Sequence, residues 1–220
     1  MKLVLASGSQ RRRELLTMCG YDYEIIVSNA DETIDENDPE SFVRALSFRK
    51  AKDVFDRLFA AGRRDFAVIG SDTVVAFQKD GETKPVIIGK PKDAKDAVRI
   101  LSMLSGKTHR VFTGVSVIAD IPDENADAQC SIREKAEIQT ECSITEVTFE
   151  TLSPDEITDY VNSGDPLDKA GSYGIQGPFG MFVREIRGNY FTVIGMPIPV
   201  LYKMLKKIGI LPHGFYERIE

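Results

Sequence analysis

Apolar runs and amphipathic stretches alternate along the chain. Leu3-Val4-Leu5-Ala6 reads as a short buried strand, and Glu14-Leu15-Leu16 begins a helical pattern that ends at Gly20. Tyr23-Glu24-Ile25-Ile26-Val27 reads as a second strand, leading into the acidic stretch Asp31 to Glu36. Over residues 39–61, Phe42, Val43, Leu46, Val54, Phe55, Leu58 and Phe59 recur at helical spacing and predict a long amphipathic helix. Phe66-Ala67-Val68-Ile69-Gly70 predicts a buried strand, followed by Ser71-Asp72-Thr73 and a further apolar run, Val74-Val75-Ala76-Phe77.

The second half continues in the same manner. Gly89-Lys90-Pro91 precedes a helix from about Asp93 to Leu104, closed by Ser105-Gly106. Residues 109–119 and Ile138 to Phe149 alternate, as the two strands of a long hairpin would, with a polar, acidic excursion over 120–136 between them. Ser153-Pro154-Asp155-Glu156 is a helix start with a capping box. Residues 164–180 are glycine-rich and predict a loop. Phe182 to Ile194 predicts a strand pair turning at Gly188-Asn189, and Met196-Pro197 opens a last helix ending near Gly209. Strands arrive both in hairpins and in single crossovers. That predicts a mixed α/β fold with a curved sheet, in one or two lobes.

Composition narrows the partners. The 220 residues carry a net charge of −6, so there is no overall basic field to attract nucleic acid. An anionic substrate must be held by a local basic cluster. The three cysteines, Cys19, Cys130 and Cys142, form no CxxC pair, so neither a disulfide framework nor a zinc site is indicated. No apolar run approaches the length of a membrane span. Met1-Lys2 leads straight into the strand pattern without a secretory leader, so a reducing, cytoplasmic setting is expected.

The local basic cluster is Ser7-Gly8-Ser9-Gln10-Arg11-Arg12-Arg13, between the first strand and the first helix. A small-residue turn lets backbone approach a ligand, and the first helical N–H groups have no partner within the helix. Three arginines there oppose the helix dipole, a conflict that a phosphate would resolve. The alternative is a solvated basic helix start. Asp72 follows a buried strand and could hold a divalent metal or accept a proton from water; it could equally be a turn residue bonded to local backbone. Asp31 and Glu32 could converge on the same metal or belong to a solvated acidic loop. Lys90, between a glycine and a proline, could face a polyphosphate. Lys50, within a helix, reads as a solvated residue. Gln176, in Tyr173-Gly174-Ile175-Gln176-Gly177, carries an amide able to read a base edge. His109 lacks the neighbours of a nucleophilic triad.

Taken in order, these segments resemble the Maf family of nucleoside triphosphate pyrophosphatases. The resemblance runs from Leu5 to Leu16 through Lys50-Ala51, Gly70-Ser71-Asp72-Thr73-Val74-Val75, Gly89-Lys90-Pro91, Ser105 to His109 and Thr113-Gly114-Val115, to the stretch Gly164 to Gly177. It implies one domain over 1–220, with an elongated, curved mixed sheet flanked by helices and two lobes around a cleft, as in the inosine triphosphatase type. It implies hydrolysis of a nucleoside triphosphate to the monophosphate and pyrophosphate with Mg²⁺ or Mn²⁺. Asp72 matches the family's proton acceptor; Arg12, Thr73 and Gln176 match positions that set base preference; Ser9, Glu32, Lys50 and Lys90 match cleft positions for phosphate or metal. Arg12 and Thr73, in a chain with no tryptophan, are similar to the dTTP/UTP branch and unlike the 7-methyl-GTP branch. Gln10 replaces the family's usual proline, and the excursion over 120–136 is longer than the compact pattern.

The implied mechanism has Arg11, Arg12 and Lys90 neutralising the triphosphate, Glu32 and Asp72 positioning the metal, and Asp72 taking the proton of the attacking water. A homodimer is compatible with the resemblance. Two other functions fit the same residues: a nucleotide-sensing regulatory protein of cell division, and a house-cleaning hydrolase for other modified nucleotides.

Overall fold

A computed structural model describes residues 1–78, 81–121 and 136–214. Among these, seven strands form one mixed sheet in the order β2-β1-β3-β5-β6-β7, with β4 paired to β3 off this path. The strands are β1 (Lys2–Leu5), β2 (Glu24–Ile25), β3 (Phe66–Phe77), β4 (Val86–Ile88), β5 (Thr108–Asp120), β6 (Ala136–Phe149) and β7 (Val183–Arg187). The helices are α1 (Gln10–Met18), α2 (Pro39–Ala60), α3 (Ala94–Leu104), α4 (Pro154–Asn162), α5 (Tyr190–Ile194) and α6 (Ile198–Lys207). β1 runs parallel to β2 and β3; all other pairs are antiparallel. The mixed α/β fold with helices flanking the sheet is the one expected. Most of the excursion over 120–136 lies outside the described residues.

The edges of β3 create the site. On one side β3 pairs with β5 without interruption from Ala67 to Ala76. On the other side β1 covers Phe66 to Ile69 and β4 covers Val75 to Phe77. Between those two neighbours, Gly70 to Val74 form an open stretch of edge. Asp72 therefore lies in mid-strand and does not follow a strand end. The polar run Ser71-Asp72-Thr73 interrupts the apolar pattern without interrupting the strand, because β5 supplies the backbone partners.

Two glycines bring α2 down onto the sheet. A Cβ on Gly70 would lie 2.1 Å from the Ser47 carbonyl oxygen, and one on Gly114 would lie 2.2 Å from that of Val43. Gly114 stands directly opposite Asp72 in the β3–β5 register. With no side chain in the way, the helix backbone rests on the strands, and Lys50 comes within reach of Asp72. α2 is well terminated: Asp38 caps it by accepting from the Ser41 N–H at 2.9 Å, and Pro39 occupies its first turn.

Separate apolar clusters pack the two ends of the sheet. Leu5, Leu16, Ile69, Val117, Met196 and Leu205 join α1 and α6 to one end. Leu101, Leu104, Phe149, Ile157 and Phe179 join α3 and α4 to the other. α4 has the predicted capping box, formed by Ser153 and Glu156.

Three local expectations are corrected. β2 is only two residues long, and the chain from Ile26 to Glu36 has no regular structure. The stretch 164–180 includes short 3-10 turns at Asp165–Asp168 and Ala170–Ser172, with another beginning at Pro178. Phe182 to Ile194 is not a strand pair: β7 is followed by helix α5. Asn189 starts this helix by accepting from the Phe191 N–H at 2.8 Å, and Gly195, at φ 111°, ends it. The β-branched and aromatic residues of α5 favour a strand, but its caps and its packing decide otherwise.

Candidate active site

The open stretch of β3 forms the floor of a cavity of about 1080 Å³. Nine of the residues singled out from the sequence as site candidates line it: Ser9, Arg11, Arg12, Glu32, Lys50, Asp72, Thr73, Lys90 and Gln176. Six separate segments of the chain thus converge.

At the centre, Lys50 Nζ lies 2.7 Å from Asp72 Oδ1 and 2.9 Å from Glu32 Oε1. The side chains of Lys50 and Asp72 are each 12% exposed, whereas that of Glu32 is 66% exposed. Lys50 is therefore not the solvated helix residue its surroundings in sequence suggest. One ammonium holds two carboxylates together, which offsets their mutual repulsion. Glu32 is delivered by a loop fastened to α2. Arg49 donates to the carbonyls of Asp31 and Thr33, both at 2.8 Å, and Asp53 accepts from Ser28 Oγ and the Asn29 N–H. Asp31 does not join the site. Its carboxylate accepts the Thr33 N–H at 2.9 Å, which helps hold its pKa below the ordinary value.

The arginines divide. Arg12 turns its guanidinium onto protein acceptors: Nε donates to the Gly195 carbonyl at 2.9 Å, and the two terminal nitrogens donate to Ser7 Oγ at 3.1 Å and Thr73 Oγ1 at 3.4 Å. Burial lowers its pKa, and Asp72 works in the opposite direction. Arg11 pairs with Asp168 at 3.3 Å, and Asp168 also accepts from Lys169 at 2.7 Å. Lys169 further contacts Asp165, which accepts from the Tyr160 hydroxyl. Asp165, Asp168 and Lys169 also line the cavity. Sequence reasoning gave them no role, although they stand in the segment before Gln176 that carries the family resemblance. The first turn of α1 has no acidic residue, and its N-cap Ser9 offers it no side-chain acceptor. The turn before it thus keeps backbone donors beside the cavity.

Lys90 and Gln176 are exposed and sit on loops that touch: the Gly171 N–H donates to the Gly89 carbonyl at 3.0 Å. Among the described residues, Ser9, Lys90 and Gln176 make no side-chain hydrogen bond or ion pair, so their polar groups are available to a ligand. His109 stands apart, buried against Phe149 and bonded to the Tyr173 hydroxyl at 3.0 Å; burial pushes its pKa down to about 3, so the ring is neutral.

Among the described residues no group of three or more His, Cys, Asp or Glu is arranged to hold a metal. The carboxylates that could hold one are Asp72 and Glu32, both of which also pair with Lys50. That fits Mg²⁺, which takes one or two carboxylates and fills its shell with phosphate oxygens and water.

The structure is similar to that of the Staphylococcus aureus Ham1 protein, with a TM-score of 0.51 and 16% identity over 94% of this chain and 100% of the other; this likeness concerns the fold. A protein of Agathobacter rectalis named dTTP/UTP pyrophosphatase is 40% identical over 217 residues, covering 95% of this chain and 98% of its own. A protein of Bacillus thuringiensis subsp. konkukian with the same name is 42% identical over 210 residues, covering 95% and 96%. A family model described as Maf-like protein matches residues 2–208, and with these relatives it establishes that the chain belongs to the Maf-like family.

Proposed function

We propose that the protein is a nucleoside triphosphate pyrophosphatase that hydrolyses dTTP and UTP to the monophosphate and pyrophosphate. The observation that carries this is the Glu32–Lys50–Asp72 cluster, set in the same cavity as the arginine-bearing start of α1. The names of the relatives supply the substrates.

Each residue then has a task. Arg11, Lys90 and the backbone donors near Ser9 bind the triphosphate. Arg12 is occupied by protein acceptors, which suits orientation of the base better than neutralisation of phosphate. Thr73 and Gln176 share in base recognition. Glu32 and Asp72 hold Mg²⁺ or Mn²⁺, which when bound polarises the phosphate and acidifies water. Asp72 accepts the proton of the water that attacks the α-phosphorus, and Lys50 keeps both carboxylates in place. A homodimer, a cytoplasmic setting and a single domain over 1–220 complete the proposal. Among the described residues, no helix is long and apolar enough to cross a membrane.

The test is to incubate purified protein with a panel of nucleoside triphosphates and Mg²⁺ or Mn²⁺, and to measure pyrophosphate against orthophosphate. Pyrophosphate from dTTP and UTP is expected, abolished by a chelator. Asp72→Asn should bind nucleotide yet lose roughly 10²–10⁴-fold in turnover, the scale of a lost general base. Orthophosphate alone would mean that another bond is cut. Saturable binding with no release would mark a nucleotide sensor.

A further inference from the structure

The loop that carries Gln176 hangs from a residue outside the cavity. Tyr160, in α4, is buried in the same apolar cluster as Phe149, Tyr173 and Phe179. Its hydroxyl stands between two groups. The Gly174 N–H lies 3.1 Å from it, and its other partner is the Asp165 carboxylate. An amide N–H can only donate and a carboxylate can only accept, while a phenol has one proton and spare lone pairs. Tyr160 must therefore accept from Gly174 and donate to Asp165. Burial, helped by the bond to Asp165, pushes the Tyr160 pKa up, so the proton stays in place.

Asp165 is fixed in turn. Lys169 Nζ donates to its carboxylate at 3.0 Å and to its carbonyl at 2.6 Å, and also to the Asp168 carboxylate at 2.7 Å. Lys169 lines the cavity, yet its ammonium is spent on these three acceptors. Its stem packs against the loop: a Cβ on Gly174 would stand 2.7 Å from Lys169 Cε. Gly174 is thus bonded to the hydroxyl of Tyr160 and packed on the stem of Lys169, with no room for a side chain. Gly174 also starts the turn that presents Gln176, since its carbonyl accepts the Gly177 N–H at 3.1 Å. Gln176 itself is exposed, so this turn sets where its amide stands.

We infer that Tyr160 is a positioning residue for substrate binding: its hydroxyl holds the Gly174 N–H and thereby places Gln176 for the nucleotide. This inference rests on the proposed pyrophosphatase function, in which Gln176 touches the nucleotide. The anchor acts before the chemistry, and Glu32, Lys50 and Asp72 take no part in it. It sets how often the empty cavity holds Gln176 in place, and the apparent affinity for a ligand falls with that fraction.

The experiment measures kcat and KM for UTP, by pyrophosphate release, in the wild type, Tyr160→Phe, Gln176→Ala and the double variant. Amide exchange at Gly174 is followed in the first two. Phenylalanine keeps the ring packed on Phe179 and removes only the hydroxyl. Exchange at Gly174 should quicken. KM should rise about tenfold, the effect of one lost buried hydrogen bond, with kcat unchanged. In the Gln176→Ala background the same substitution should raise KM less than about twofold, because two residues that act through one contact are not additive. A merely structural loss would raise it by the same factor in both backgrounds. Asp165→Ala carries the same expectation if the phenylalanine variant does not fold, since it removes the acceptor that aims the Tyr160 hydroxyl. Unchanged exchange at Gly174, an unchanged KM, a fall in kcat instead, or equal factors in the two backgrounds would overturn the inference and leave the hydrolytic function standing. A wild type that releases no pyrophosphate from any nucleotide would overturn the hydrolytic function itself, and the inference with it.

Discussion

Asp72 and Thr73 are consecutive residues of β3 that leave opposite faces of the sheet, yet both line the same cavity. Asp72 meets Lys50 of α2, and Thr73 meets Arg12 of α1. Side chains on a strand alternate, so a paired strand would keep the two on separate surfaces. The open edge from Gly70 to Val74 lets one ligand reach around the strand to both. In the proposed function this separates the work: the reacting phosphate lies on the side of α2, and the base on the side of α1.

Lys50 is expected to matter as much as the carboxylates it joins. Lys50→Met would remove the ammonium that joins Asp72 and Glu32 and fixes their positions. Displaced catalytic groups cost on the order of 10²-fold, and a loss of at least about that size in kcat/KM is expected. Pyrophosphate release near the wild-type rate would remove Lys50 from the site.

Gly114 is expected to tolerate no side chain. In Gly114→Ala the new methyl would meet the Val43 carbonyl at 2.2 Å, so α2 must lift from the sheet. Overpacking of this kind costs roughly 1–3 kcal/mol, measurable by urea unfolding. The lift also draws Lys50 away from Asp72, so activity should fall further than stability alone would predict. A variant with unchanged stability would show that the helix does not rest on Gly114.

Acid should destabilise the fold through His109. Its pKa is pushed down to about 3 in the fold from an ordinary 6.5. Below pH 6.5 the unfolded chain takes up a proton that the folded chain refuses until about pH 3, so stability falls as pH falls across that window. By pH 5 the loss is about 2 kcal/mol. His109→Gln has no ring to titrate, and its stability should be flatter between pH 7 and pH 5. An equal slope in both proteins, by urea unfolding, would assign the acid sensitivity elsewhere.

Much of the fold is legible in the sequence because periodicity reports burial. α2, α3 and the β5–β6 hairpin carry clear patterns and form as expected. β3 is not legible as one strand, because Ser71-Asp72-Thr73 looks like its end; only the pairing with β5 carries it through. α5 is hidden because Tyr190 to Ile194 favour a strand locally, while Asn189 and Gly195 set a helix. Of the nine candidate site residues, all but Glu32 stand in the ordered motifs, and all nine line one cavity. Lys50 illustrates what spacing alone cannot convey. Its partners lie 18 and 22 positions away, and only the docking of α2 on two glycines brings them together.

The long strands also govern how the molecule can deform. β5 pairs with β6 from Thr108 to Asp120 and with β3 from Ala67 to Ala76, so an unbroken ribbon of backbone hydrogen bonds passes behind the cavity. The cavity is a notch in the edge of a stiff beam rather than the mouth of a hinge. Bending the beam would break many bonds at once, while turning a side chain or shifting a loop breaks few. Adjustment to a ligand accordingly falls to the side chains at the rim, such as the unpaired Lys90 and Gln176, while the floor beneath them keeps its shape.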